Sequence, residues 1–173
     1  MSRSATSPAA TEFNRIASHR RNSSWQSFSL AFLLTFAAAA FGTMFMPGSW
    51  YASLQRPPLT PPNWIFGPVW SVLYVMIAIA AGRAANRSSP AHRLTTWSVF
   101  ITQLVLNAAW SALFFGSQQP GLALIDIVLM WLAIVATTAW FWRVDRVAGW
   151  LFVPYLAWVS FATYLNLGFW WLN

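Results

Sequence analysis

The chain has 173 residues, of which 58% are hydrophobic and only 8% charged; soluble domains carry about a quarter charged residues, so an ordinary water-soluble domain is excluded and an integral membrane protein remains. Its net charge of +7 comes with ten arginines and no lysine. The lack of cysteine excludes disulfides, thiolate metal sites and Cys-ligated iron in any compartment.

Residues 1–27 are rich in Ser, Ala, Thr and Arg and show no apolar period, which predicts a disordered or surface-lying arm. A first helix is expected over about 28–46, close to the ~20 apolar residues that cross a bilayer. Arg20 and Arg21 before this run, with Ala38 to Ala40 behind it, also fit a signal peptide, but the apolar run continues to Met46. Ala38 and Gly42 have a small-xxx-small spacing that lets helices approach closely.

The connection 47–62 holds Pro57, Pro58, Pro61 and Pro62. Proline fixes φ and suits the first turn of a helix, so the chain should be extended and stiff there and then turn helical, forming a lid over the bundle. Asn63 is the candidate cap of helix 2, expected over about 64–83 and carrying Trp64, Phe66, Trp70 and Tyr74, of which the last two share a face. A loop with Arg87, His92 and Arg93 leads to helix 3, about 95–115, and a tight turn from Ser117 to Gly121 leads to helix 4, about 122–142. Arg143, Asp145, Arg146 and Gly149 make the next loop, and helix 5 follows over about 150–171, with Pro154 expected to kink or loosen its first turns. The fold class is therefore expected to be all-α, an integral membrane bundle of five transmembrane helices over residues 28–173, with almost no residue left over for a soluble domain.

Arginine placement sets the orientation. Arg3, Arg15, Arg20, Arg21, Arg83, Arg87, Arg93, Arg143 and Arg146 fall on one side and Arg56 alone on the other, which puts the N-terminus in the cytoplasm, the C-terminus opposite, and the lid on the outer face. Within the spans, polar side chains are costly and each suggests a function. Helix 3 supplies Gln103, Asn107 and Ser111 at i, i+4 steps, with Trp110 and Phe114 near the same face; helix 5 supplies Tyr155, Trp158, Ala162 and Asn166. For Asn107 two readings stand, an interhelical hydrogen bond and a cavity wall. Asp126 is the sole acid within a span, where it would snorkel or pair with a polar group on a neighbouring helix; a proton relay would need acidic or histidine partners that no span supplies. His19 and His92 lie outside the spans, so no histidine pair is placed to ligate haem, and no phosphate loop, catalytic triad or metal cluster is present. No metal, no obligatory cofactor and no nucleic-acid partner is expected. What remains is an aromatic-lined interior under a stiff lid, suited to a flat apolar molecule.

Three ordered stretches, WYASLQRPPLTPPNWIFGPVWSVLYV (Trp50 to Val75), QLVLNAAWSALFFG (Gln103 to Gly116) and LFVPYLAWVSFATYLNL (Leu151 to Leu167), resemble the signature of the TspO/MBR family, the translocator or tryptophan-rich sensory proteins. The resemblance covers about residues 28 to 172 and is to bacterial-type members. It implies a five-helix bundle in a bacterial cell membrane, usually a homodimer, that binds porphyrins such as protoporphyrin IX and isoquinoline or benzodiazepine drugs under the first loop. Carried over by motif, the ligand site would be Tyr51, Trp70, Tyr74, Asn107, Trp110, Ser111, Trp158 and Ala162, with Asn107 as polar anchor and the indoles as stacking walls.

Animal members follow a late tyrosine with a basic residue in a cholesterol-recognition pattern. Here Tyr164 is followed by LNLGFWWLN, so sterol transport is not carried over. The resemblance leaves three functions open: a receptor or sensor of tetrapyrrole and stress physiology, a transporter of porphyrin or another amphipathic molecule, and a light-dependent porphyrin-degrading enzyme using Trp70 and Trp158. A purely binding role is the leading expectation.

Overall fold

The computed structural model describes residues 8–173, with side chains described from residue 24 onward. Arg3 and the side chains of Arg15, His19, Arg20 and Arg21 lie outside the described residues. Six helices follow one another: α1 (Pro8–Thr43), α2 (Ser49–Ser53), α3 (Asn63–Arg87), α4 (Arg93–Ser111), α5 (Pro120–Val144) and α6 (Arg146–Leu172). Five of these contain stretches long and apolar enough to cross a membrane, the first from Ser24 to Thr43. Among the described residues there is no strand.

Several boundaries depart from the sequence expectation. The arm expected over 1–27 is helical from Pro8 and runs into the first span without a break; Ala and Arg are good helix formers, and extending an existing helix requires no new nucleus. The same helix ends at Thr43 rather than Met46, where the Met44 and Phe45 amides bond back to the Phe41 and Gly42 carbonyls at 3.1 and 3.2 Å ahead of Pro47. In the lid, residues 49–53 form α2 and only the prolines beyond it are irregular. Asn63 does not cap α3: Pro62 occupies the cap position with no side-chain bond, and Asn63 is already helical. After α4 one wide π turn, Ala112–Gly116, closes with the Ser117 amide on the Ala112 carbonyl at 2.7 Å.

The loop expected around Arg143 and Gly149 shrinks to one residue. Arg143 ends α5, Arg146 and Gly149 belong to α6, and Asp145 alone separates them. Its carboxylate accepts from the Val147 and Ala148 amides at 2.8 and 3.2 Å, capping α6, and from Arg83 Nη2 at 3.0 Å. Burial alone would raise this carboxyl, but the bonds from Ala148, Arg83 and Val147 hold it below its ordinary value. Gly149 makes the tight corner possible: a Cβ there would stand 2.8 Å from Trp142 Cγ and 2.9 Å from Trp142 Cα. Pro154 leaves α6 unbroken, as Pro68 leaves α3, because a membrane helix tolerates one missing donor when neighbours surround it.

The helices close a ring in which α1 packs on α3, α3 on α6, α6 on α5, α5 on α4 and α4 on α1. The C-terminal half of α3 comes close to its neighbours because Ala78, Ala80, Ala81, Gly82, Ala84 and Ala85 are all buried. Large apolar residues such as Leu33, Val72, Ile125 and Leu132 point outward, as lipid-facing side chains do. The alternation of the spans puts the lid, the turn after α4 and the end of α6 at one end of the bundle, with Arg83, Arg87, Arg93, Asp145 and Arg146 at the other.

Candidate functional site

Three helices meet at Asn107. It lies on α4 and is buried at 5% exposure, and both ends of its amide are engaged: Tyr74 Oη on α3 donates to Oδ1 at 2.9 Å, and Nδ2 donates to Tyr155 Oη on α6 at 3.1 Å. Tyr155 in turn donates to Met130 Sδ on α5 at 3.8 Å. Of the two readings left open for Asn107, the structure shows the interhelical tie directly. The tie is also walled by rings, since Trp70 stacks on Tyr74 with centroids 5.2 Å apart and meets Tyr155 edge-on at 6.1 Å.

Trp158 lies on the same side of the bundle, edge-on to Phe66 at 5.9 Å and beside Phe161 at 5.8 Å. Ala162, half-buried one turn further along α6, packs against the same core cluster as Trp70, Tyr74 and Trp110. Trp110 is tied separately: its Nε1 donates to Asn166 Oδ1 at 2.8 Å, and Asn166 Nδ2 donates to the Pro120 carbonyl at 2.8 Å, fastening α4 to α6 and to the start of α5.

Two expected members fall elsewhere. Tyr51 is buried in a second aromatic cluster at the lid end, against Phe114, Phe115 and Phe169 at 6.3, 5.5 and 5.4 Å, with the Arg56 guanidinium 5.5 Å from its ring. Burial raises its phenol above the ordinary value, against the opposing pull of Arg56. Ser111 faces α1, its Oγ 3.4 Å from where a Cβ on Gly42 would be. The reason is helical drift, because each i, i+4 step advances about 40° and two steps from Gln103 turn the face by about 80°.

The lid lies on α6. Pro57 is buried against Gly168, where a Cβ would come within 2.5 Å of Pro57 Cβ. Tyr164 Oη donates to the Pro58 carbonyl at 3.2 Å, and the Asn173 amide pairs with the Gln55 backbone in both directions, at 2.9 and 3.2 Å. Leu59, at φ 66°, bends the chain between the two proline pairs. Pro61 is half-buried, while Pro58 and Pro62 are exposed.

Sequence reasoning named Tyr155 and Asn166 as polar groups within a span but left them out of the site; the structure makes them the partners of Asn107 and Trp110. Met130 carried no signal, because a methionine in an apolar span has no polar group to draw notice. Asp126 neither snorkels nor pairs: it is 8% exposed, and its Oδ2 has no hydrogen-bond partner among the described residues.

The TspO/MBR family model matches residues 28–172. Protein CrtK of Rhodobacter capsulatus is 39% identical over 150 residues, 84% of this chain and 92% of that protein. The tryptophan-rich protein TspO of Chlorobaculum tepidum is 46% identical over 122 residues, 69% of this chain and 77% of that protein. The human translocator protein is 37% identical over 134 residues, covering 75% of this chain and 79% of that protein. With five spans and this match over most of its length, the chain is an integral, multi-pass membrane protein and belongs to the TspO/MBR family.

Proposed function

We propose that this protein is a membrane receptor that binds a porphyrin of the protoporphyrin IX type, or another flat apolar molecule, among the rings around Asn107 beneath the 47–62 lid, and so senses tetrapyrrole or stress physiology. The observation that carries this reading is the arrangement of Trp70, Tyr74 and Tyr155 around one buried amide at the meeting of α3, α4 and α6. Rings supply stacking area and the amide supplies direction. The names of the relatives, tryptophan-rich sensory protein among them, support the same reading. A metal-free tetrapyrrole suits the site better than haem, since both histidines fall outside the spans.

The interior is closely filled. Two crevices, one of about 620 Å³ along α1 at Ser24, Trp25, Phe28 and Phe32 and one of about 160 Å³ between α1 and α4, both lie away from these rings, and ligand pockets of drug size run to about 300–1,000 Å³. Entry therefore requires the lid to lift and the rings to part. The orientation proposed is N-terminus inside, supported by Arg87, Arg93, Arg143 and Arg146 at the end away from the lid. A homodimer is proposed on the family resemblance and the small pair formed by Ala108 on α4 and Ala112 at the start of the turn after it; crosslinking in native lipid that returns only monomer refutes it.

The test of function is a protoporphyrin IX titration of the purified protein, followed by tryptophan quenching in the dark and by the porphyrin spectrum under illumination. Saturable quenching weakened by Trp158→Phe and Asn107→Ala is the expected result; no saturable binding refutes the proposal. Light-driven loss of the porphyrin band, slowed by Trp70→Phe or Trp158→Phe more than binding is, would show a degrading enzyme instead.

A further inference from the structure

Among the described residues, the buried polar atoms without a hydrogen-bond partner include Thr35 Oγ1, Gln103 Oε1 and Asp126 Oδ2 within the spans, and of these only the last belongs to an acid. Tyr74, Asn107, Tyr155, Trp110 and Asn166 form two chains of hydrogen bonds, one ending on Met130 Sδ and the other on the Pro120 carbonyl, and none of these bonds reaches Asp126. Asp126 stands outside both chains, with Oδ2 buried and unpaired. On α5 it falls one turn from Met130, which takes the Tyr155 hydroxyl. Its neighbours along the helix divide: Ala123 belongs to the lid-end cluster with Tyr51 and Phe114, and Ile127 to the central cluster with Tyr155. Asp126 thus sits where the two aromatic clusters meet.

A carboxyl oxygen without a donor is among the least favourable groups to bury in a bilayer, and an aliphatic residue would fill the same place without that cost. No donor among the described residues reaches Oδ2, so the donor that would satisfy it is sought outside the chain. We propose that Asp126 is a ligand-recognition residue, accepting a hydrogen bond from an N–H or ammonium group carried by an otherwise flat, apolar ligand. The proposal takes its location from the ligand site argued above and adds a chemical requirement: the ligand must bring a donor nitrogen, because Asp126 Oδ2 is a buried acceptor that no donor of the described residues fills.

The experiment uses two probes of nearly equal size and shape, 9-(aminomethyl)anthracene and 9-methylanthracene, titrated against the full chain in zwitterionic nanodiscs by energy transfer from tryptophan, with protoporphyrin IX run in parallel. Wild type should bind the amine at least about tenfold more tightly than the hydrocarbon, and Asp126→Leu should bring that ratio close to one while leaving 9-methylanthracene binding unchanged within about twofold. Asp126→Asn keeps the shape and carries the test if the leucine variant does not fold; it should lose most of the preference. Equal binding of the two anthracenes by wild type, a preference that survives both substitutions, or no binding of either probe overturns the proposal. Saturable porphyrin binding alongside any of those results leaves the porphyrin reading standing, and an Asp126-dependent amine preference without porphyrin binding does the reverse.

Discussion

The contact between Gly168 and Pro57 gives the most direct way to loosen the lid without touching the ligand site. In Gly168→Ala the new Cβ would stand 2.5 Å from Pro57 Cβ and 2.9 Å from Pro57 Cγ. Non-bonded carbons settle at about 3.5–4.0 Å, so the lid must withdraw by roughly 1 Å. Three hydrogen bonds hold it in place, Tyr164 to Pro58 at 3.2 Å and the Asn173 pair to Gln55 at 2.9 and 3.2 Å. At such partly exposed positions each contributes about 0.5–1 kcal/mol, and losing all three would favour the open lid by about 2 kcal/mol, roughly 30-fold in population. Alanine is also the better helix former by about 1 kcal/mol, so α6 itself should not weaken. Hydrogen exchange at the Gln55 amide, read by mass spectrometry on peptides covering 54–62, should accelerate by about that factor with no fall in melting temperature. Asn173→Ala removes two of the bonds with no clash and should give a smaller acceleration at the same amide. A Gln55 amide as protected in Gly168→Ala as in wild type refutes the lid argument.

Other substitutions test the frame. Asn107→Leu takes the acceptor from the half-buried Tyr74 hydroxyl and the donor from the buried Tyr155 oxygen and should cost about 1–3 kcal/mol in thermal unfolding in detergent; an unchanged transition would show that the tie contributes nothing. Gly149→Ala drives a Cβ to 2.9 Å from the Trp142 Cα, and because that neighbour is backbone it cannot swing aside, so a loss of about 1–3 kcal/mol is expected in the same assay. Asp145 is held below its ordinary value of 3.8 in the folded protein, so its contribution is complete above that pH and is lost as the pH falls through the lower folded value. Wild type should therefore lose stability below about pH 4. Asp145→Asn should be less stable at neutral pH and lack this component of the acid loss, and superimposable acid profiles would refute the assignment.

How far the chain could be read from its sequence depended on the kind of signal. The five spans were legible because bilayer thickness sets their length and apolar runs such as Leu122 to Trp142 have no competing reading. Their ends were not, because capping and corner geometry are local: nothing in the residue types says that Asp145 alone turns α5 into α6, until Gly149 is seen lying against the Trp142 backbone. In the candidate site, Trp70, Tyr74 and Asn107 entered by the family resemblance, and the structure places the three side chains together. Ser111, also carried over by motif, lies towards α1 because each i, i+4 step turns the face, and Tyr51 lies in the lid-end cluster because a loop residue's address depends on how the loop folds back.

The way Asn107 is bonded bears on how it would act as an anchor. Both of its polar atoms already hold a tyrosine, Tyr74 and Tyr155, so a ligand that displaces either exchanges one hydrogen bond for another, and such an exchange is close to neutral in free energy. Asn107 would then set the direction in which a ligand lies, while affinity comes from the ring area that Trp70, Tyr74 and Trp158 give up to it. The same exchange would free a tyrosine hydroxyl between α3 and α6, the two helices that flank the rings, so occupation of the site and the bonding between helices are linked at one residue. Pro57 and Tyr164 fasten the lid to α6, which also carries Tyr155 and Trp158. A shift of that helix on binding would therefore be felt at the lid, with α6 itself as the mechanical connection.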